Sequence, residues 1–143
     1  MTEFLGKQIQ ITEWSGRAAR ALAGWDKPAF DWPDVFRRHN DPDRLDMAIW
    51  CGQDQLCGLG LCLTTANSVV LRFIEGDPRQ DCPLKGRRIL IALETATNYA
   101  QVRGKKEIRL QPKNDDLVYL YEKVYGFVLE SPRNEAPYYR KGV

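Results

Sequence analysis

The chain has 143 residues, of which 43% are hydrophobic, and this is enough for one domain with a substantial core. Its formal net charge of +2 is too small to indicate a nucleic acid partner by itself, and no apolar run approaches the ~20 residues that cross a bilayer. The N-terminal residues lack the basic start and the apolar stretch of a secretion signal, so we expect a cytoplasmic protein without a membrane partner.

The first half of the sequence predicts a strand, two short helices and an antiparallel meander. Residues Lys7–Glu13 alternate apolar and polar side chains, as a half-buried strand does. A serine can cap a helix over about Ser15–Ala23, and Asp31 with Pro33 at an early helical position can start another. Three strands joined by short polar turns follow. They are Leu45–Cys51, Gln55–Thr64 and Ser68–Gly76.

The second half predicts helices that alternate with strands. Apolar residues recur at helical spacing over about Gly86–Arg103, and Gly104 can close that helix. Lys106–Gln111 is the strand that this crossover reaches, so we expect it to lie parallel to the strand before the helix. Asn114 can cap a further helix. Two closing strands follow, Phe127–Glu130 and Tyr138–Lys141.

The four cysteines predict buried, reduced thiols, because they form no Cys-x-x-Cys pair and the chain has one histidine. A metal site is therefore not predicted. Cys57 and Cys62 are five residues apart in a predicted strand, so they should face opposite sides of the sheet unless a bulge intervenes. Cys82 follows a polar loop and precedes a proline, and we expect it to react with an alkylating reagent.

Two segments of the second half have the character of ligand-binding helix starts. The first, Leu84–Leu93, opens with three cations at a helix N-terminus, where free N–H groups already favour an anion. The second, Asn114–Phe127, reads Asn-Asp-Asp-Leu-Val-Tyr-Leu-Tyr-Glu-Lys-Val-Tyr-Gly-Phe. Taken alone, the basic turn fits either a phosphate site or an ordinary solvated surface.

In order and spacing, these segments resemble the coenzyme A (CoA) half of the Gcn5-related N-acetyltransferase (GNAT) family. That family has an Arg/Gln-x-x-Gly-x-Gly/Ala turn, a helix, a strand, and a segment like Asn-x-x-Ala-x-x-Leu-Tyr-Glu-Lys-x-Gly-Phe. Asn114–Phe127 is the closer of the two matches. With Lys85 at the first basic position of the turn, Gly86 is the one glycine retained. Arg88 and Leu90 stand at the two later small-residue positions.

The resemblance implies an α/β fold of the α+β kind. It has a mixed, mostly antiparallel central sheet flanked by helices, with a splayed parallel strand pair for the cofactor. The predicted order of elements agrees with this fold over nearly the whole chain. We expect a single acetyltransferase-like domain over residues 1–143, with an acceptor-side half (1–66) and a CoA-binding half (67–143). The closing strands of this fold often pair between subunits, which leaves a homodimer open.

The resemblance also assigns residues to acetyl-CoA, the expected acyl donor. Backbone groups of Ile74, Glu75 and Gly76 would bond the pantetheine arm like an added strand. Asn114 would bond the same arm, and Tyr121 matches the family tyrosine that protonates the departing thiolate. The turn expected to hold the pyrophosphate comprises Leu84, Lys85, Gly86, Arg87, Arg88 and Ile89.

Two residues are candidates for the proton transfers. Tyr121 can supply a proton as charge develops on sulfur, although its position on the helix also fits core packing. Glu75 is the one carboxylate of the strand that should border the acyl group, which makes it the candidate base. Asp77, which also fits a turn, and ordered water without a dedicated protein base are the alternatives.

The acceptor side is expected near the first two helices. Aromatic residues crowd this segment and could line a pocket for an apolar or aromatic amine, or could be core. They are Trp25, Phe30, Trp32 and Phe36, of which the first three are the predicted substrate-binding residues. Nearby acids, Asp26, Asp31 and Asp34, could hold a cationic acceptor or could cap helices.

We therefore expect an acetyl-CoA-dependent N-acetyltransferase that transfers an acetyl group directly to a primary amine of a small molecule or protein. One alternative is a toxin-like acetylation of aminoacyl-tRNA, which the basic clusters Lys85–Arg88 and Arg103–Lys106 allow but the net charge of +2 does not favour. The other is a degenerate, non-catalytic module that binds CoA weakly or serves in interactions. Arg88 and Leu90 at the glycine positions of the turn support that second alternative.

Overall fold

The computed structural model describes residues 2–4, 7–79, 82–84, 87–111 and 120–143. Within these ranges, no helix has both the length and the apolar character of a membrane span. In chain order the elements are β1 (Thr2–Phe4), β2 (Lys7–Thr12), α1 (Gly16–Leu22), α2 (Trp32–Arg38), β3 (Leu45–Cys51), β4 (Gln55–Thr64), β5 (Ser68–Gly76), α3 (Arg88–Val102), β6 (Glu107–Leu110), a π-helical turn (Leu120–Val124), β7 (Val128–Glu130) and β8 (Tyr138–Gly142).

The described strands form one mixed sheet in the order β1-β2-β3-β4-β5-β6-β8-β7. Neighbouring strands are antiparallel at six of the pairings. The exception is β5 with β6, which run parallel because α3 carries the chain from one to the other. The predicted fold class, a mostly antiparallel sheet flanked by helices, is confirmed. The strand β1 was not predicted.

Polar caps begin both short helices, as predicted. The Ser15 hydroxyl accepts a hydrogen bond from the Ala18 N–H (3.4 Å), and the Asp31 carboxylate accepts one from the Asp34 N–H (3.3 Å). Each bond satisfies a backbone donor that has no partner in the first helical turn. These helix starts therefore depend on local sequence.

Glycines close the two later helical segments. Gly104 follows α3 with a φ of 68°, and Gly126 follows the π-helical turn with a φ of 75°, a conformation that favours glycine. The Lys105 N–H then donates back to the carbonyl of Ala100 at 2.8 Å, and so satisfies an end carbonyl of α3. The predicted start of α3 at Gly86 and the predicted cap Asn114 lie outside the described residues.

Each face of the sheet has its own hydrophobic core. On the α3 face, alanine and leucine side chains of α3 pack on apolar residues of β3 to β6. On the opposite face, which we call the α2 face, α1 and α2 cover β3, β4 and part of β5 with a core rich in tryptophan and phenylalanine. This core includes Trp25, Trp32, Phe36 and Trp50. The sheet therefore carries different chemistry on its two faces.

A bulge places Cys57 and Cys62 on the same face. In the pairing of β3 with β4, Ile49 faces Gly58 and Trp50 faces Leu56, so Cys57 is the extra residue of β4. Both thiols join the α3-face core and are buried. The opposite-face arrangement expected for an unbroken strand is therefore absent, because the bulge adds one residue to the alternation.

The expectation of an exposed, reactive Cys82 was wrong. Cys82 is only 4% exposed and packs in the α3-face core, where its thiol hydrogen-bonds the Cys57 thiol. Its polar neighbours in sequence suggested a surface loop, but the Cys82 N–H bonds the Arg79 carbonyl (3.3 Å) and the side chain lies in the core. Local composition did not reveal this burial.

We predict that the native protein is inert to a thiol reagent such as dithionitrobenzoate. All four cysteines are free and buried, and burial raises the pKa of the Cys62 thiol to about 12 and also raises the pKa of Cys57. A raised pKa removes the reactive thiolate at neutral pH. Reagent titration should count no thiol before denaturation and four after it. Rapid reaction of one thiol in the native protein would contradict the burial of Cys82.

Candidate active site

The parallel strands β5 and β6 pair along only part of β5. Their register runs from Ser68 opposite Glu107 to Leu71 opposite Leu110, where β6 ends. Beyond that point β5 continues to Gly76 and keeps its β4 partners, while no described strand pairs with its other edge. Backbone N–H and C=O groups on that edge face an opening in the sheet. This is the splayed strand pair predicted from the sequence.

A cavity of about 210 Å³, which we call the narrow cavity, lies in this opening. The far half of β5 forms one side, and the first turn of α3 together with the π-helical turn forms the other. Six of the predicted site residues line it. They are Ile74, Glu75, Gly76, Arg88, Ile89 and Tyr121.

A second cavity of about 500 Å³, the wide cavity, lies on the other side of the opening. Arg109 and Tyr138, which line it, alternate along their strands with residues of the α3-face core, so they lie on the α2 face. The residues Leu71, Arg72, Leu110 and Gln111 line both cavities. The two cavities therefore meet where β6 ends, and a ligand in one can approach a ligand in the other.

Tyr121 stands at the wall of the narrow cavity within a group of aromatic rings. Its side chain is only 3% exposed, and its ring centroid lies 6.0 Å from that of Phe127 and 6.2 Å from that of Tyr139. Burial, with a smaller contribution from Tyr125, raises the pKa of Tyr121 to about 12. The hydroxyl therefore keeps its proton throughout the physiological pH range.

Glu75 ties β5 to the segment that precedes α2. Its carboxylate accepts hydrogen bonds from the N–H groups of Ala29 (2.7 Å) and Phe30 (3.3 Å) and from the Trp32 indole N–H (2.8 Å). A carboxylate offers about four acceptor positions, so about one remains for a ligand or a water. Glu75 is thus a structural link on the α2 face, and it is also one of the residues that line the narrow cavity.

Arg88 turns inward and lies against Gly76. Its Nη1 donates to the carbonyl of Asp77 (2.7 Å) and to that of Cys57 (3.3 Å). A Cβ atom on Gly76 would come within 2.1 to 2.5 Å of three guanidinium atoms, so glycine there makes room for the arginine. The sequence suggested a side chain directed at a phosphate, but these contacts direct it to the wall of the narrow cavity.

Of the other residues of the basic turn before α3, the structure describes Leu84 and Arg87. Leu84 is buried, and its carbonyl accepts a hydrogen bond from the Arg87 N–H (2.9 Å) just before α3 begins. Arg87 is exposed at the N-cap position of α3, where its side chain makes no capping bond. Lys85 and Gly86 lie outside the described residues, as does Asn114. The phosphate-binding role of this turn stays a prediction.

Asp77 does not suit the role of base that the sequence left open. Its side chain is buried and forms an ion pair with Arg79 (2.5 Å). Burial alone would raise the pKa of Asp77, but hydrogen bonds and charge from Arg79, with the charge of Arg88, lower it on balance. A carboxylate held in this way has little tendency to take up a proton.

Two of the three predicted acceptor-side aromatics are core residues. Trp25 and Trp32 are buried, and their indole N–H groups donate to a β4 carbonyl (3.1 Å) and to Glu75 (2.8 Å), respectively. Phe30 is half-buried and packs edge-on against Phe73, which lines the wide cavity. The tryptophans therefore support the wall beside the two cavities and line neither.

Sequence reasoning missed the residues of the wide cavity. Arg109 lies 4.4 Å over the ring of Tyr138 and pairs with Glu107, and Gln111 donates to a carbonyl of the β7–β8 loop (3.0 Å). The available signal was the alternation of these polar residues with Ile108 and Leu110 along one short strand. That pattern indicates a polar face on β6, but the cavity also needs side chains from β5 and β8.

Comparison with solved structures identifies the fold. An acetyltransferase of the GNAT family from Staphylococcus aureus Mu50 is 14% identical and superimposes with a TM-score of 0.66 over 94% of this chain and 99% of its own. The ribosomal-protein-S18-alanine N-acetyltransferase of Escherichia coli is 17% identical, with a TM-score of 0.66 over 95% and 93% of the two chains.

The PaiA N-acetyltransferase of Thermoplasma acidophilum, solved in complex with coenzyme A, is 16% identical, with a TM-score of 0.58 over 95% and 99% of the two chains. No protein-family model matches the sequence, and no curated protein matches it. The likeness therefore rests on architecture rather than on sequence identity. The splayed strand pair, the crossover helix and the agreement with these structures show that the chain has the fold of the GNAT family, as the sequence resemblance predicts.

Proposed function

We propose that the protein is an acetyl-CoA-dependent N-acetyltransferase that transfers the acetyl group directly to a primary amine. The observation that carries this proposal is the opening between β5 and β6, with one cavity on each side and a shared junction. Such an arrangement lets a donor and an acceptor enter separately and meet. The neighbours in fold, one of them a CoA complex, support the same class of reaction.

The donor would occupy the narrow cavity. The free edge of β5 at Ile74, Glu75 and Gly76 offers backbone groups to the amide groups of a pantetheine arm, as an edge strand does to a peptide. Leu84, Arg87 and Ile89 lie at or next to the start of α3, where free N–H groups and Arg87 suit a pyrophosphate. Lys85, Gly86 and Asn114 are proposed for the same ligand from their sequence positions alone.

In the transfer, the amine nitrogen would bond to the acetyl carbon as the carbon–sulfur bond breaks. Tyr121 would donate a hydrogen bond to the sulfur and then its proton to the thiolate. A phenol with a pKa of about 12 is a weak acid. The main contribution of Tyr121 to catalysis would therefore be its hydrogen bond to the sulfur, which strengthens as negative charge develops there. The same pKa ensures that the proton is present.

The proton released by the amine would pass to Glu75, directly or through a water. Glu75 lines the narrow cavity, and three hydrogen bonds hold its carboxylate in place. The same bonds occupy about three of the four acceptor positions of the carboxylate. We therefore propose that Glu75 works through one remaining acceptor position, with ordered water completing the path.

The alternatives are less well supported. Neither acetylation of aminoacyl-tRNA nor a non-catalytic module is favoured by these neighbours in fold. A homodimer is still a proposal: β7 is one of the two outer strands of the described sheet and exposes Val128 and Leu129. Free thiols at all four cysteines suit a reducing compartment such as the cytoplasm.

Binding of acetyl-CoA tests the proposed function most directly. Titration calorimetry should give micromolar binding to the parent protein. Arg87→Glu should weaken it at least tenfold, about 1.4 kcal/mol, because a negative charge at the start of α3 repels the pyrophosphate. Arg103→Glu makes the same charge change at the far end of α3 and should leave binding unchanged. Absence of binding to the parent would overturn the proposed function.

Tyr121→Phe should lower kcat by about 10²-fold, which is at the lower end of the rate contribution of a general acid. The affinity for acetyl-CoA should stay within about threefold of that of the parent protein. Steady-state kinetics and calorimetry would separate the two effects. Tyr125→Phe is the matched control, because its ring lies 6.4 Å from that of Tyr121 without lining the narrow cavity. Equal losses in both variants would assign Tyr121 to core packing alone.

Glu75→Gln should lower kcat by about 10²-fold or more with little change in the KM for acetyl-CoA, if Glu75 accepts the proton. Trp32→Phe removes one donor to Glu75 but keeps the carboxylate, and it should change kcat by less than about fivefold. If both variants lose activity equally, then Glu75 only positions the segment before α2.

A further inference from the structure

Arg72 is the extra residue of a bulge in β5. In the pairing with β4, Leu61 faces Phe73 and Cys62 faces Leu71, so Arg72 has no opposite partner. A bulge bends the strand and redirects the side chain of the inserted residue, and such bulges are frequent beside functional sites. Here the inserted residue comes directly after the last residue of β5 that pairs with β6.

The bulge directs Arg72 to the junction of the two cavities. Arg72 is the one cationic residue that lines both the narrow and the wide cavity in the described part of the chain. Its side chain is exposed, and no described residue forms an ion pair or a hydrogen bond with it. Its guanidinium therefore has no ion-pair partner among the described residues at the place where donor and acceptor would meet.

The other charged groups of the wide cavity do not cancel this charge at the junction. Arg109 forms an ion pair with Glu107, and its guanidinium stacks on the ring of Tyr138. Glu135 comes from the β7–β8 loop, is exposed, and forms no ion pair with either arginine among the described residues. The cavity is thus not an acidic pocket of the kind that would attract a polyamine.

The aspartates that the sequence offered for a cationic acceptor are used elsewhere or lie apart from the cavities. Asp31 caps α2 through its side chain. Asp34 forms ion pairs with Arg37 and Arg38 on the same helix. Asp26 is exposed and lines neither cavity. The described acceptor side therefore presents no acidic cluster near the junction.

We infer that Arg72 binds a carboxylate of the acceptor, so that the acceptor is an amine of the amino acid class. This inference rests on the proposed function and names the substrate class of the same site. A guanidinium holds a carboxylate through two parallel hydrogen bonds, which also fix its orientation. Because Arg72 lies at the junction, a carboxylate bound there keeps an adjacent amino group close to the thioester. Arg72 is then the residue that selects the acceptor.

The test compares acids with their neutral analogues. The twenty common L-amino acids, their carboxamides and spermidine would be offered with acetyl-CoA, and acetylated product would be measured by mass spectrometry. We expect at least one amino acid to react with a kcat/KM at least tenfold above that of its carboxamide. Arg72→Gln should raise the KM for that acid at least tenfold and leave that of the carboxamide unchanged. Arg72→Lys should restore part of the loss.

Two controls separate this inference from the proposed function. Arg140→Gln removes a cation from the same face of the sheet, but Arg140 pairs with Glu130 and lines neither cavity, so kinetics should be unchanged. Calorimetry of acetyl-CoA should be the same for Arg72→Gln and the parent. Preference for spermidine or carboxamides, or no reaction of any amino acid while acetyl-CoA binds, would overturn the role of Arg72. If the parent protein does not bind acetyl-CoA, the proposed function is overturned instead.

Discussion

The early end of the parallel ladder between β5 and β6 is the constraint on which the rest of the site depends. A parallel pair needs a crossover, so the start of α3 necessarily lies near the far end of β5. Because β6 stops at Leu110 while β5 continues to Gly76, several backbone groups of β5 have no strand partner among the described residues. Buried backbone groups require partners, so this edge is suited to a ligand that supplies amide groups.

The glycine-poor turn is explained by the inward position of Arg88. In the family pattern a small residue stands there, whereas this chain has an arginine whose guanidinium rests on Gly76 and binds two backbone carbonyls. The arginine therefore need not project across the start of α3, where a pyrophosphate would lie. A neighbouring carboxylate, that of Asp77, is held ionised by Arg79 with help from the charge of Arg88. The Arg88 side chain is thus accommodated within the wall of the narrow cavity.

The two faces of the sheet divide the proposed reaction. The α3 face, with Tyr121 among aromatic rings, would supply the donor side, and the α2 face would supply the acceptor side. Glu75 connects them, because it belongs to β5 and yet holds the segment before α2 through three hydrogen bonds. Arg72 connects them in a second way, since a bulge places its charge at the junction. Two residues of β5 would therefore act in the reaction: Arg72 in selecting the acceptor and Glu75 in accepting its proton.

The sequence by itself determined the order of the strands β2 to β8, the caps of α1 and α2, the strands β3 to β5 and the parallel relation of β5 to β6. These follow from periodicity, from capping residues and from crossover rules, which act over short stretches. Only the tertiary structure decided that Cys82 is buried, that Arg88 turns toward Gly76, and that Arg72 lies beside Arg109 and Tyr138 in one cavity system. Each of these depends on a bulge, a turn or a contact between residues distant in sequence, and none of them leaves a periodic signal in the chain.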